Sequence, residues 1–273
     1  MNLDQLRQAL LLPPKRLGVM PDFWALRPRF QLHWVDRIDS TNRSLLDRMA
    51  LGAAPGTVLM AASQNSGRGQ WGRPWLSDPG GLYLSLGLKP QISPHRSHFL
   101  TLASTWGLVI SLNNLGIPAQ VKWPNDLVVN SKKLGGVLVE TRLSQAVVQD
   151  AVIGLGLNCF NPVPATGTSL SQLNQPEPTL NALNSLETIA AVALYGLMQG
   201  YFFWQSQGDL AFLKAYQNKM AYLGQTITVN DDQATVMGIG ASGHLRLKLA
   251  GSSFPDPIDL EVKPGEVTLG YNA

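Results

Sequence analysis

Apolar residues recur along the chain at two spacings, and the switches between them mark its elements. The first 30 residues carry Pro13, Pro14, Pro21 and Pro28, which forbids a long helix after the start. From Gln31 onward the pattern becomes regular. Asp39-Ser-Thr-Asn42 precedes the helical spacing of Leu45, Leu46 and Met49, so one of Ser40, Thr41 or Asn42 is expected to cap a helix. Strands are predicted over 57–63 and 82–88. A helix opening at Ser93-Pro94, with Ser93 as its cap, runs on Phe99, Leu100, Ala103, Trp106, Val109 and Ile110 toward Leu115. Strands follow at 119–123, 127–129 and 134–140, the last two joined by a turn at Asn130-Ser131, and 147–157 adds a further strand or pair. Residues 161–179, rich in Pro, Ser and Thr, read as a loop. Thr188 to Gly208 has no charged residue, but Gln199, Gln205, Gln207 and three glycines interrupt it, which predicts a buried helix rather than a membrane span. After Leu223, short strands separated by 230–232, 240–243, 251–257 and 264–265 predict a small β-barrel appended to a larger α+β domain.

Composition narrows the class. An apolar share of 45% in 273 residues excludes a disordered chain, while 14% charged residues, 26 glycines and 18 prolines predict many turns and a neutral surface. The net charge of +3 resides in residues 1–30, where Arg7, Lys15, Arg16, Arg27 and Arg29 face only Asp4 and Asp22. The remainder is neutral overall, so no clustered basic face for nucleic acid is expected. Residues 1–30 also suit neither a three-helix DNA-reading module nor, with Leu10 to Leu12 as their first apolar stretch, a secretory leader. Cys159 is the only cysteine, which excludes an internal disulfide and a cysteine-rich metal site and fits a reducing compartment.

Candidate chemistry concentrates between residues 39 and 158. Gly67, Gly69 and Gly72 spell a GxGxxG, yet the turn text Ser77-Asp-Pro-Gly-Gly81 follows where a dinucleotide fold needs a helix. Arg68 and Arg73, with Trp71 and Trp75 between and beside them, suit a strand-loop-strand clamp: backbone N–H groups and guanidiniums for a carboxylate or phosphate, an indole for a planar ring. Lys122-Trp-Pro-Asn-Asp126 ends a strand in a turn. In Lys132-Lys-Leu-Gly-Gly-Val-Leu-Val-Glu140, alternation places Lys133 on a face with Gly135, Val137 and Val139, leaving an empty position at Gly135 for a ligand. Asn158, after Gly154-Leu-Gly-Leu, either closes a turn or binds a ligand. His95 and His98 lack the partners of a metal site and are expected on a solvated face.

Taken in order, these segments resemble biotin protein ligases, enzymes that activate biotin with ATP and attach it to a lysine of a carboxylase carrier domain. The resemblance rests on Asp39-Ser-Thr-Asn42, Gln64, Gly67-Arg-Gly69, Gly72-Arg73, Trp75, Leu82-Tyr-Leu-Ser85, Lys122-Trp-Pro-Asn-Asp126, Lys133 to Glu140 and Ile153 to Asn158, and extends loosely to the C-terminal strands. It implies an α+β mixed-sheet catalytic domain with flanking helices over 31–222, an N-terminal extension over 1–30 and a small SH3-like β-barrel over 223–273. It assigns Lys133, Arg68 and Arg73 to catalysis, and biotin to Ser40, Thr41, Asn42, Gln64, Gly67, Arg68, Gly69, Gln70, Lys133 and Gly135. The nucleotide side falls to Arg73, Trp75, Lys122, Asn125, Asp126 and Asn158, with magnesium accompanying ATP and no residue assigned to the metal. The implied partner is the biotin carboxyl carrier protein of acetyl-CoA carboxylase, in the cytoplasm, without nucleic acid or membrane, and a homodimer is allowed. A lipoate or octanoate ligase and a biotin-sensing repressor are the rival readings. Gln70 stands where many members carry a second arginine, a departure that bears on how firmly an acyl adenylate is held.

Overall fold

A computed structural model describes residues 1–173, 183–229, 232–249 and 258–267. The chain opens with α1 (Leu3–Leu10), capped by Asn2, and two short 3-10 turns that begin at Pro14 and Pro21, as the prolines require. Next come β1 (Gln31–Ile38), α2 (Thr41–Ala50), β2 (Thr57–Gln64), β3 (Leu82–Leu88), α3 (His98–Asn114), β4 (Gln120–Lys122), β5 (Asp126–Val129), β6 (Lys132–Ser144) and β7 (Val147–Leu157). The strands form one mixed sheet in the order β1-β2-β3-β7-β6-β5-β4. The β1–β2 pair is parallel and α2 supplies the crossover it needs; the other pairs are antiparallel.

Helices cover both faces of the centre of this sheet. Along β2, Val58 and Met60 enter the large core under α3, whereas Leu59 joins Leu45 and Met49 of α2 and Val152 of β7 on the opposite face. Burial on both sides explains why β3 is largely apolar, with every residue buried. β1 pairs with β2 alone, and its half-exposed edge pattern gave periodicity little to detect.

Of three local expectations, one holds and two change in detail. Ser93 makes no side-chain cap: a 3-10 turn over Pro94–Arg96 intervenes and α3 starts at His98. The β5–β6 turn is confirmed, with φ of 50° at Asn130 and 63° at Ser131, the left-handed pair that a two-residue hairpin requires. β6 runs on to Ser144 and pairs with β7, which is a single strand.

The uncharged stretch lies in α4 (Leu186–Gln217), capped by Ser185 and broken at Gly208, whose φ and ψ are 75° and 173°. Residues Ile189 to Gly200 of α4 are buried. Gly107 of α3 lies against Gly196 and Gly200, where a Cβ would strike the facing backbone, so the two helices approach closely. Gln199, one of the residues that argued against a membrane span, is fully buried and fully used. Its Nε2 donates to Gly107 O (3.1 Å) and Ser111 Oγ (2.6 Å), and its Oε1 accepts from Met20 N (3.0 Å).

Beyond α4, β8 (Thr226–Val229), β9 (Asp232–Ile239), β10 (Leu245–Leu249) and β11 (Ile258–Val262) form a four-stranded antiparallel sheet in the order β11-β10-β9-β8. Among the described residues no pairing of β8 with β11 closes it. The expected loop over 174–179 and the separators at 230–231 and 251–257 lie outside the described residues. The larger apolar core joins Leu6 and Leu17, the α3–α4 interface, and Val236, Leu245 and Leu247.

The turn after β4 is held from two sides. Tyr216 of α4 donates its hydroxyl to Pro124 O (2.9 Å), and Trp123 Nε1 donates to Gly243 O (3.0 Å) between β9 and β10. Tyr216 is fully buried, so Tyr216→Phe leaves a carbonyl without its donor at a cost of about 1–3 kcal/mol. Urea unfolding checks this; a midpoint equal to that of the parent chain would show that the bond contributes nothing.

Candidate active site

Four segments converge on one cleft: the start of α2, the loop after β2, the turn between β4 and β5, and the adjoining parts of β6 and β7. At the first, Ser40 is the extended N-cap of α2 and its Oγ accepts from Arg43 N (3.4 Å). Thr41 donates through N (2.9 Å) and Oγ1 (3.1 Å) to Gln64 Oε1, while Gln64 Nε2 donates to Ser77 Oγ (2.9 Å). Asn42 Nδ2 donates to Leu138 O (3.0 Å) and Glu140 Oε2 (3.1 Å). The buried Ser85 hydroxyl lies 2.7 Å from Asn42 Oδ1 and 2.8 Å from Thr41 Oγ1, and its single proton serves one of them. This polar wall is fixed before anything binds.

The loop after β2 folds back on itself as a narrow hairpin. Trp75 N donates to Gly67 O (2.9 Å), Gly69 N donates to Arg73 O (2.7 Å), and Arg68 is paired with Pro74. Gly67 sits within this closure, where a Cβ would meet Ser77 Oγ at 2.5 Å, so its role is to let the loop turn rather than to line the cleft. The loop carries Trp75 onto β7, whose Gly154 and Gly156 share one face. A Cβ at Gly154 would run into the Asn42 amide, and one at Gly156 into the Trp75 indole. The Gly-Leu-Gly spacing thus leaves bare backbone for two side chains from elsewhere.

Opposite stand the cations. Lys133 Nζ pairs with Asp126 Oδ1 (2.7 Å) and lies 5.3 Å from the Trp75 ring. Lys122 is only 3% exposed, and burial pushes its ammonium down to about 8; Lys133 and Arg73 act in the same sense and Asp126 opposes them. Arg68 reaches Glu140 Oε1 (3.1 Å), so Glu140 joins the loop to Asn42. Asn125 Nδ2 donates to Val137 O (2.8 Å), which secures the turn to β6. Cys159 is buried with its thiol pushed up to about 12, which removes it as a nucleophile.

The cleft brings together Ser40, Thr41, Asn42, Gln64, Arg68, Gly69, Gln70, Arg73, Trp75, Lys122, Asn125, Asp126 and Lys133 from the sequence reading. Gly67, Gly135 and Asn158 do not line it. The reason at Gly135 is a bulge: Val128 faces Lys133 and Leu127 faces Gly135, so Leu134 is an extra residue and alternation resets. The empty position beside Lys133 is therefore Gly136, where a Cβ would lie 3.6 Å from Lys133 Cε and 3.0 Å from Asp126 Oδ1. Asn158 is spent on backbone, donating to Lys133 O (3.3 Å) and Thr168 O (3.1 Å). His98 also departs from expectation: His95 is exposed, but His98 packs beside Gly243, and burial lowers its pKa.

Sequence reasoning missed Ser85, Ser77 and Glu140 as members of the site, and Gly265 and Val267 as contributors to its rim. Ser85 had a signal, a lone hydroxyl inside the apolar run of β3. Gly265 and Val267 had none, since they arrive from the far end of the chain.

Residues 34–158, which hold every residue assigned above from the resemblance, match the biotin/lipoate A/B protein ligase family. The matched segment is a little under half of the chain. The chain is 35% identical over 129 residues to the bifunctional ligase/repressor BirA of Bacillus spizizenii, covering 46% of this chain and 40% of that protein. It is 36% identical over 165 residues to the biotin–[acetyl-CoA-carboxylase] ligase of Mycobacterium tuberculosis, covering 57% and 60%. The chain therefore spans less than two thirds of the length of these relatives. The fold is similar to that of a biotin protein ligase from Aquifex aeolicus in complex with biotin and ATP, with a TM-score of 0.64 and 25% identity over 89% of this chain and 99% of that one.

The lowered pKa of Lys122 has a consequence for stability. Between pH 8 and 10.5 the unfolded chain keeps this proton and the folded one has lost it, so stability rises with pH across that window. Relative to Lys122→Met, the parent chain is expected to gain stability from pH 8 to 10 in urea unfolding. A difference that stays constant with pH would place the ammonium in an environment like water.

Proposed function

We propose that the chain is a biotin protein ligase. In the first step a biotin carboxylate oxygen attacks the α-phosphorus of ATP, the bond to the pyrophosphate breaks, and biotinyl-5′-AMP forms. In the second, the amine of a lysine on a carboxylase carrier domain attacks the acyl carbon, loses a proton, and AMP departs. The observation that carries this reading is the pairing, in one cleft, of a preset polar wall at Thr41, Asn42 and Gln64 with a cationic wall at Lys122, Lys133 and Arg73.

Each wall suits one end of the reaction. A ureido ring offers two N–H donors and a carbonyl. The Asn42 and Thr41 oxygens and the Gln64 amide keep capacity for such a ring, since a carbonyl accepts twice and an amide nitrogen donates twice. When a carboxylate meets a phosphate, two anions approach and further charge develops, so cations fixed in advance lower the barrier. Lys133 and Lys122 take that role, with Arg68 and Arg73 on the loop that folds over the acid. Trp75 gives the adenine a flat wall. Asp126, the carboxylate on the cleft wall, would help hold a magnesium ion brought by the nucleotide, which would shield phosphate charge. Among the described residues there is no cluster of three His, Cys, Asp or Glu side chains that could hold a metal by themselves.

Residues 31–222 are the catalytic unit in this reading, 1–30 an extension packed onto it, and 223–273 a small SH3-like barrel whose four described strands form part of it. The enzyme is cytoplasmic and acts on the biotin carboxyl carrier protein of acetyl-CoA carboxylase, with no nucleic-acid partner.

The deciding experiment is ATP–pyrophosphate exchange with biotin and with lipoate in parallel. Biotin is expected to drive exchange and labelling of a purified carrier domain, because lipoate has no ureido ring to meet the Thr41–Gln64 wall. Lipoate-driven exchange at or above the biotin signal would overturn the assignment. Within the site, Lys133→Ala is expected to slow exchange by about 10²–10³, the usual loss when a charge-stabilising donor is removed. Lys132→Ala, at an exposed position, is expected to do little. Equal losses would show that the cleft does not distinguish the two faces of β6.

A further inference from the structure

Trp71 stands at the tip of the loop after β2 with φ 59° and ψ 33°, a left-handed conformation that a bulky aromatic residue adopts only where its surroundings impose it. It is 65% exposed, so core packing does not impose it. What it touches is the C-terminal turn. The six-membered part of its indole lies against Gly265, where an added Cβ would come within 2.6 Å of Cζ2 and 2.9 Å of Cη2. Gly265 is itself left-handed, with φ 94°, in a turn tied by Glu266 N to Lys263 O (3.1 Å) and Lys263 N to Glu266 Oε2 (2.7 Å). Trp71, Gly265 and the neighbouring Val267 all line the cleft that holds Arg73, Lys122 and Lys133. The contact therefore spans the rim, joining a loop of the ligase domain to a turn some 190 residues later in the sequence.

We propose that Trp71 is a positioning residue. Its contact with Gly265 straps the loop Gly67–Trp75 across the cleft, and the strap slows escape of the acyl adenylate. This retention half rests on the ligase reading above; the strap itself does not. The loop carries Gln70, a neutral amide that holds a phosphate less strongly than a guanidinium would. A mechanical hold from Trp71 supplies retention without charge.

The two halves are tested separately on the full chain. In the absence of ligand, trypsin cuts at Arg68–Gly69 only when the loop opens, and Arg73 is protected by the following Pro74. Trp71→Ala and Gly265→Ala are each expected to speed cleavage at Arg68 several-fold, the double variant no further than either alone, and Trp71→Phe to restore much of the protection. Release of preformed biotinyl adenylate, followed by stopped flow, is expected to quicken in the same variants and in the same order. Because Trp71 is exposed, Trp71→Ala leaves the core intact, and a failed fold at Gly265→Ala does not remove the test. Cleavage unchanged in Trp71→Ala, additive effects in the double variant, or release that ignores the variants would each overturn the proposal. A chain that forms no adenylate at all would overturn the ligase reading, and the cleavage arm would still decide the strap.

Discussion

Asn42 on α2 and Trp75 in the loop after β2 both rest on stretches of β7 that carry no side chain, and the rest of the cleft is arranged around these two seats. A protein interior is close-packed, so a side chain can lie directly on a strand only where that strand gives up its own. Gly154 and Gly156 give up theirs on one face. Seated on that face, Asn42 spends its amide on Leu138 and Glu140, Glu140 is then placed to meet Arg68, and the indole of Trp75 is placed to meet Lys133. Remove either seat and more than one contact is lost, because the polar wall, the loop and the cation share these two anchors.

The cationic side follows a different logic. Lys122 is held inside the protein at a cost in solvation that its lowered pKa records, beside Lys133 and Arg73 of the same sign. Apolar packing would not choose such a residue there. Charge kept close together in a poorly solvated place is an expenditure that a bound anion offsets, and the neighbouring Asp126 offsets only part of it.

Much of this was legible in the sequence because local patterns set it. The stretch Ser40 to Asn42 announced the helix start, the paired glycines after Lys133 announced backbone that something approaches, and the Asn130-Ser131 hairpin was placed correctly. The errors have two causes, one local and one long-range. Alternation counts residues, and a bulge adds one, so the face assigned to Gly135 belongs to Gly136 once Leu134 is left over. Asn158 reads as a ligand contact or a turn until Thr168 and Lys133 are seen to use its amide. His98 reads as a surface residue until the turn at Gly243 is laid on it. Long-range packing leaves no periodic trace, which is also why Gly265 could not be foreseen.

The turn after β4 shows what this long-range dependence means while the chain is being made. Lys122, Asn125 and Asp126 emerge early and Asn125 bonds to Val137 of β6, but two further bonds that hold their turn come from Tyr216 and from the carbonyl of Gly243. Such distant pairings close late, after the entropy of the intervening chain has been spent. The polar wall, built from residues 40 to 140, has its partners as soon as the large sheet assembles. Synthesis therefore completes the two halves of the cleft in sequence, and a nascent chain halted before residue 243 carries a finished polar wall beside a cationic turn that still lacks its bond to the Gly243 carbonyl.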